Sequence, residues 1–252
     1  MARILAIADL HENIDFLDKI SRLVDYDAIL LCGDIVELRT IDFVDFVSKT
    51  KRKILIISGD HDCVPCYRKI AKKYSNVEFL YRGLGSIEIN GEEIRLLYLS
   101  GIYSRKKRNM TFYNDRDILG LVRKTIRENW EADIAITHTP PYHMADYLPK
   151  GGRGGLKQLL IFRDLCRPKW WISGHTHVLA TEKVGETIAI NCGIGYIGDL
   201  VIIDTKHRSV ILGRYFSGEV PDIEDPTWDF IYYMRKTDSY IHVLKTLSKV
   251  IE

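Results

Sequence analysis

The sequence predicts an α/β protein in which two β-sheets pack face to face, with helices on the outside. Short apolar runs such as residues 4–8 have the length and unbroken hydrophobicity of strands that are buried on both faces. In the first half of the chain these runs alternate with amphipathic helical patterns, which indicates a parallel sheet. Between residues 178 and 212 short strands follow one another without helices, and this predicts a second, mainly antiparallel sheet.

Three strand–helix pairs open the chain. The predicted strands are residues 4–8, 28–32 and 53–57, and the helices that follow them are residues 14–24, 41–47 and 67–74. In the first helix, apolar residues recur at Ile14, Leu17, Ile20 and Val24, which is the spacing of one buried helical face. Strands joined in this way have their carboxyl ends at the same edge of the sheet.

A hairpin and further strands follow. Residues 86–89 and 93–99 flank Asn90-Gly91, the strongest short signal for a hairpin turn. Residues 101–114 are polar, basic and aromatic and predict a surface loop, after which Asn114 or Asp115 can cap a helix that ends near residue 130. The remaining predicted elements are a strand at 133–137, a helix at 156–166, an apolar run at 169–172, and strands at 187–191, 200–204 and 209–212.

Composition divides the chain near residue 214. We expect one main domain over residues 1–214 and an appendage over residues 215–252. Residues 215–233 mix prolines, acids and aromatics, and residues 239–251 place apolar side chains on one helical face. The appendage is therefore expected to be helical, and to pack on the body or form the contact of a homodimer.

Charge and hydropathy bound the function. The net charge of +2 gives no large one-sided field for nucleic acid or a membrane surface. No run approaches the roughly 18 apolar residues of a membrane span, and the first residues resemble a strand more than a signal peptide. We therefore expect a cytoplasmic protein without a membrane partner.

Five scattered cysteines fit reduced, mostly buried thiols. Cys63-Val64-Pro65-Cys66 has the spacing of a redox or zinc pair, but no second pair completes a four-cysteine zinc site. The preferred interpretation is two incidental cysteines near a helix start, with a disulfide or redox role as the alternative.

Acidic and imidazole side chains follow the predicted strands at their carboxyl ends, where ligands bind in α/β sheets. The set is Asp9, His11, Asp34, Asp60, His61, His138, His175 and His177. So many carboxylates and imidazoles suit two divalent cations, with one carboxylate between them, for which Asp34 is the best candidate. Manganese, iron and zinc are all compatible with such donors.

Two cations in such a site favour phosphoryl chemistry. They lower the pKa of a bound water toward ~7 and neutralise the charge of a phosphoryl group. A histidine that is not a ligand can protonate the leaving oxygen, and His61 is the natural choice because its side chain points differently from that of Asp60.

Taken in order, these blocks resemble the calcineurin-like metallophosphoesterase superfamily over residues 1–205. The blocks are Asp9-Leu10-His11, Gly33-Asp34, Gly59-Asp60-His61-Asp62, His138 and Gly174-His175-Thr176-His177. The resemblance implies a four-layer α/β/β/α sandwich. It also implies one cation on Asp9, His11 and His177, a second on Asp60, His138 and His175, and Asp34 on both. His61 and Asp62 would complete the catalytic set, His61 as the general acid or a phosphate contact and Asp62 as a support for the ligands.

The resemblance further implies hydrolysis of phosphodiester or phosphomonoester bonds, by in-line attack of a hydroxide bridging the two metal ions. The substrate would be a phosphorylated small molecule or a nucleotide. One departure is Asp60, where the family usually has Asn; it keeps a metal-binding oxygen, loses an amide donor and adds negative charge. The alternatives are a non-catalytic metal-binding scaffold of the same fold, and a nuclease of the same superfamily, which the modest net charge does not indicate.

Two candidate substrate contacts lie outside the motifs. Tyr103 can stack on a nucleobase, and Arg153, among glycines in residues 150–155, can close on a phosphate. The basic run over residues 105–108 is either a solvated face or a rim that attracts phosphorylated substrates.

Overall fold

The computed structural model describes residues 2–37, 40–106, 109–205 and 207–215. In chain order its elements are β1 (Arg3–Ile7), α1 (Ile14–Leu23), β2 (Ala28–Cys32), α2 (Thr40–Lys49), β3 (Lys53–Ile57), α3 (Val64–Lys73), β4 (Val77–Phe79), β5 (Arg82–Ile89), β6 (Glu92–Leu99), β7 (Ile102–Tyr103), β8 (Phe112–Tyr113), α4 (Asp115–Glu128), β9 (Ile134–Thr137), α5 (Leu160–Cys166), β10 (Trp170–Ser173), β11 (Leu179–Val184), β12 (Thr187–Cys192), β13 (Asp199–Asp204) and β14 (Ser209–Arg214). One 3₁₀ turn, Lys157–Leu159, precedes α5, and another, Gly195–Ile197, follows β12.

Two six-stranded sheets form the two inner layers of the fold. The first sheet has the order β14-β13-β1-β2-β3-β4, and its strands β1 to β4 are parallel. The second has the order β11-β12-β10-β9-β6-β5, with a parallel centre and an antiparallel strand at each edge. The predicted two-sheet α/β sandwich is therefore confirmed.

The expectation of a second, mainly antiparallel sheet was wrong. The second sheet is mixed, and β13 and β14 belong to the first sheet, where β13 lies antiparallel to β1 with Ala6 opposite Val201. The run of residues 200–203 is buried throughout. Because such a strand is apolar on both faces, its sequence does not indicate which sheet it joins.

Three apolar layers hold the sandwich together. Leu30, Ile136 and Ile172 belong to the layer between the sheets. Helices α1 to α3 cover the outer face of the first sheet, and α4 and α5 cover the second. The indole of Trp171, fully buried under α4 and α5, donates to Thr137 Oγ1 at 2.9 Å. The helices thus lie outside, and the carboxyl ends of the parallel strands are left for the site.

The Asn90-Gly91 hairpin forms as predicted between β5 and β6, with Ile89 opposite Glu92. Asn90 has φ 52° and Gly91 φ 74°, the left-handed values of a type I′ turn. We expect Gly91→Ala to destabilise the protein by about 1 kcal/mol, because a Cβ strains this backbone. Gly120→Ala is the matched control: Gly120 is exposed within α4, and the change should stabilise by about 0.5–1 kcal/mol.

Thermal and urea unfolding of both variants would check this pair, since neither added Cβ has an atom within 4 Å. Equal destabilisation at the two positions would contradict the argument from backbone conformation.

Other local predictions have mixed outcomes. Asn114 caps α4 in a capping box with Asp117. The predicted loop at 101–114 contains the short paired strands β7 and β8, and it buries Tyr113 completely.

The appendage expected over residues 215–252 lies outside the described residues, apart from Tyr215. Within the described part of the chain, no helix is both long and apolar enough to cross a membrane.

Cys63 and Cys66 form a disulfide at the start of α3, so the preferred interpretation of two incidental cysteines was wrong. Their Cα atoms lie 5.2 Å apart, within the range of a disulfide. The other three cysteines are free and buried, as predicted: Cys32, Cys166 and Cys192.

Candidate metal centre

Loops after β1, β2, β3, β9 and β10 carry the candidate site residues. Several of these residues have positive φ, namely Asp9 (53°), His11 (41°), Asp34 (53°), His175 (68°) and His177 (61°). Such conformations are uncommon for residues other than glycine and cost about 1–3 kcal/mol when they are strained. Hydrogen bonds between the loops hold them: the Asp9 N–H donates to Gly33 O at 2.9 Å, and the His11 N–H donates to Asp34 O at 3.0 Å. The cluster is thus fixed by backbone contacts among the loops.

One group of ligand atoms comes from Asp9, His11 and His177, all within 4.8 Å of one another. Asp9 Oδ1 lies 3.0 Å from His177 Nε2 and 4.0 Å from His11 Nε2. The other carboxylate oxygen of Asp9 accepts the backbone N–H of His175 at 2.9 Å. Asp9 is fully buried, so its orientation is set by the protein and not by solvent.

A second group comes from Asp60, His138 and His175. Asp60 Oδ1 lies 3.7 Å from His138 Nε2 and 3.8 Å from His175 Nδ1. The other ring nitrogen of His138, Nδ1, lies 2.8 Å from the backbone oxygen of Cys32. A carbonyl partner of this kind is typical of metal-binding histidines, because it fixes the ring and leaves Nε2 for the cation.

Asp34 lies between the two groups. Its Oδ2 is 3.3 Å from His138 Nε2, and its Oδ1 accepts the His61 N–H at 2.9 Å. It also shares one candidate ligand group with Asp9 and another with Asp60. This is the position that a carboxylate shared by two cations would require.

Three ligand atoms in this cluster are buried and have no hydrogen-bond partner among the described residues: His11 Nε2, Asp60 Oδ1 and His138 Nε2. A buried polar atom without a partner costs about 1–3 kcal/mol. Imidazole nitrogens and carboxylate oxygens without partners can instead bind a cation, which removes this cost. The residues present therefore fit divalent metal.

The charges of the cluster favour a cation. Burial alone would raise the pKa of Asp34, but the nearby imidazole of His138 outweighs it and holds that pKa well below its usual range. Burial likewise opposes the charged form of His138, yet Asp34 raises its pKa to about 10. In the absence of metal His138 thus favours its protonated form beside the Asp34 carboxylate. A metal bound to His138 would take that proton's place, because a ligating imidazole must be neutral.

Asp62 supports the ligand loops from beneath. It is buried, and its carboxylate accepts four backbone N–H groups and one hydroxyl, from Asp34 (2.7 Å), Ile35 (2.8 Å), Val36 (3.1 Å), Gly59 (2.6 Å) and Tyr67 Oη (2.5 Å). Burial, followed by the charge of Asp34, raises the pKa of Asp62 to about 6. Asp62 is in none of the candidate ligand groups found among the described residues, but it fixes the backbone of two ligand loops.

Glycines allow the loops to approach one another. A Cβ on Gly59 would meet Asp34 Oδ1 and would lie 2.7 Å from His138 Nε2. A Cβ on Gly174 would meet the carboxylate of Asp9. Both positions explain why glycine precedes a ligand in these motifs.

Two residues that support the candidate site were not predicted from the sequence. Asn191, fully buried on β12, donates to Gly174 O (2.9 Å) and to Thr176 Oγ1 (2.8 Å), which fixes the loop of His175 and His177. For Tyr67 the sequence predicts only a place in a helix. The available signal was a polar Asn in an otherwise apolar run; nothing local identified Tyr67.

The structure does not bring Arg153 or Tyr103 into the ligand groups. Arg153 Nη1 pairs with Asp146 and with Glu182, both at 2.8 Å. These ion pairs close the loop from β9 to α5 onto β11, and a phosphate contact of Arg153 stays a prediction. Tyr103 donates its hydroxyl to Asp115 at 2.9 Å.

Comparison with known proteins gives a family and similar folds. The family model for calcineurin-like phosphoesterases matches residues 2–179, which include every candidate ligand. The structure of TT1561 from Thermus thermophilus is similar at a TM-score of 0.69 and 16% identity, covering 84% of this chain and 98% of that one. A putative 5′-nucleotidase from Staphylococcus aureus, in complex with α-ketoglutarate, matches at a TM-score of 0.54 and 13% identity, covering 98% of this chain and 58% of that one.

At these identities the solved structures support the fold alone. No curated protein matches the chain by sequence. The family assignment rests on the match to the family model, which extends from β1 to the start of β11 and includes all the ligand loops. The chain therefore belongs to the calcineurin-like phosphoesterase family.

Proposed function

We propose that the protein is a binuclear metal-dependent phosphoesterase, which hydrolyses a phosphodiester or phosphomonoester bond in a phosphorylated small molecule or nucleotide. The observation that carries the proposal is the pair of ligand groups on either side of Asp34, with three of their ligand atoms buried and unpartnered within the described structure. Family membership supports the same reaction class.

Each cation would have its own ligands. Asp9, His11 and His177 would hold one, and the second group would hold the other, with Asp34 shared. Divalent metal would lower the pKa of water and neutralise the phosphoryl oxygens. The nitrogen and oxygen donors suit manganese, iron or zinc. With Asp60 in place of Asn, the second group carries one more negative charge, which favours the cation and disfavours an anionic substrate.

His61 is the proposed general acid. Its side chain is 56% exposed, compared with 31% for His11 and none for His138, so it faces the side from which substrate arrives. Its Nε2 lies 3.7 Å from Asp60 Oδ2, beside the second ligand group. From this position the ring would donate a proton to the leaving oxygen of the ester.

We expect His61→Ala to lower kcat by about 10²–10⁴-fold, the usual contribution of a general acid, while manganese binding stays within about threefold. Steady-state kinetics and titration calorimetry would measure the two effects. The matched control is His207→Ala, because His207 is 62% exposed and lies in the turn between β13 and β14. An unchanged kcat would contradict the role, and loss of a bound cation would make His61 a ligand.

The reaction itself can be tested with bis-p-nitrophenyl phosphate and p-nitrophenyl phosphate in the presence of Mn²⁺. Turnover of either substrate, abolished by a chelator, is the expected result. Bound metal without turnover of either substrate would contradict the proposal and favour the non-catalytic scaffold. Cleavage restricted to DNA, with a steep dependence on salt, would favour a nuclease.

A further inference from the structure

The Cys63–Cys66 disulfide has no part in the proposed chemistry, yet it lies one residue beyond Asp62. Both cysteines are partly exposed, whereas the other three cysteines of the chain are buried. A reductant in solution can therefore reach this pair while the remaining thiols stay protected. The bond closes the first turn of α3, directly after the loop that presents Asp60 and His61.

We propose that Cys63 and Cys66 form a thiol–disulfide exchange site for dithiols, and that the bonded state holds the neighbouring ligand loops in their metal-binding geometry. The second half of this proposal rests on the proposed function. In a reducing compartment such as the cytoplasm, a disulfide of this kind is usually transient and redox-sensing, and not a permanent structural bond.

The exchange step balances with a dithiol as the reductant. One thiolate of the dithiol attacks a sulfur of the disulfide, which forms a mixed disulfide and releases the other cysteine as a thiolate. The second thiol of the reductant then displaces the remaining cysteine and closes its own disulfide. Two electrons and two protons pass from the dithiol to the protein, and Cys63 and Cys66 become free thiols.

A short chain of contacts joins the disulfide to the ligand loops. The Cys63 N–H donates to Val36 O at 3.3 Å, in the loop that follows β2. The Cys63 carbonyl accepts the N–H of Tyr67 at 3.1 Å. Tyr67 in turn donates its hydroxyl to Asp62, which accepts the backbone N–H of Asp34.

Reduction would remove the covalent closure of this turn and increase the conformations open to it. The hydrogen bonds that link Cys63 to Asp62 would then be less well ordered. The backbone of Asp34 and Gly59, which Asp62 fixes, would become less ordered with them. Supports of metal ligands commonly change affinity by 10–100-fold when they are lost. We expect the lower end here, about tenfold weaker Mn²⁺ binding, because the support is loosened and not deleted.

The test compares the full chain as the disulfide with the same protein reduced by dithiothreitol and desalted under argon. Alkylation and mass spectrometry under native conditions report exchange without any reference to metal, and they should place two labels on Cys63 and Cys66 alone. Calorimetric titration with Mn²⁺ should then give about tenfold weaker affinity in the reduced protein, at unchanged stoichiometry.

Two variants provide controls. Cys63→Ser with Cys66→Ser should bind Mn²⁺ as the reduced protein does, whether or not dithiothreitol has been added. Pro65→Ala changes an exposed residue of the same turn but keeps both thiols, and it should keep the redox response. Reduced wild-type protein replaces the double variant as the reference if the latter does not fold.

Absence of label on Cys63 and Cys66 after native reduction would overturn the exchange site. Equal Mn²⁺ affinity in the two redox states would overturn the coupling. An additional Mn²⁺ bound only after reduction would also overturn it, because the free thiolates would then be metal ligands themselves. Failure of Mn²⁺ to bind in either state would refute the proposed metal centre instead, and the alkylation result would still decide the exchange site.

Discussion

Asp34→Asn is expected to lower kcat/KM by about 10³-fold or more. Asn retains an oxygen that can accept the His61 N–H, so the loop keeps its backbone contact. What is lost is the negative charge 3.3 Å from His138 Nε2, at the position between the two ligand groups. Two cations about 3.5–4 Å apart need an anion between them, and a loss of about 4 kcal/mol in transition-state stabilisation corresponds to about 10³-fold.

Calorimetry should show that Asp34→Asn binds about one fewer Mn²⁺ per chain, and kinetics with bis-p-nitrophenyl phosphate should give the rate. Asp45→Asn is the control, because Asp45 is 60% exposed on α2 and pairs with Lys49 within that helix. Activity of Asp34→Asn within tenfold of the parent, with two cations bound, would contradict a shared carboxylate.

The clustering of the candidate ligands could be predicted from the sequence because the signal is local. Each one follows a short apolar run, and a buried parallel strand carries whatever residue ends it to the same edge of the sheet. Asp9 after β1 and His138 after β9 come from different sheets, yet both lie at that edge. The pattern thus predicted a common site without knowledge of how the sheets pair.

Partners far apart in sequence could not be predicted. Arg153 pairs with Glu182, 29 residues away, and the glycines around Arg153 gave no sign of that partner. The same limit applies to β13, whose apolar run is compatible with either sheet. The prediction for Cys63 and Cys66 was wrong for a different reason. Their spacing is local, but it fits free thiols and a disulfide equally well.

Asp62→Ala is expected to destabilise the fold by about 3–5 kcal/mol even with no metal present. The change removes one acceptor from four backbone N–H groups and from the Tyr67 hydroxyl, all of which are buried. A buried donor left without a partner costs about 1–3 kcal/mol, and relaxation or entering water would offset part of the sum. At about 2–4 °C per kcal/mol for a domain of this size, Tm should fall by roughly 10 °C.

Tyr67→Phe separates the hydroxyl contact of Asp62 from its four backbone contacts. It removes one donor and keeps the other four, so a loss of about 1 kcal/mol is expected. Scanning calorimetry of the chelator-treated proteins would rank wild type, Tyr67→Phe and Asp62→Ala in that order of decreasing Tm. If Asp62→Ala were no less stable than Tyr67→Phe, the four backbone donors would have found other partners, and the loops of Asp34 and Gly59 would not depend on this carboxylate. The expected ranking would instead make the rigidity of the candidate metal centre depend on Asp62, which belongs to none of the candidate ligand groups of the described residues.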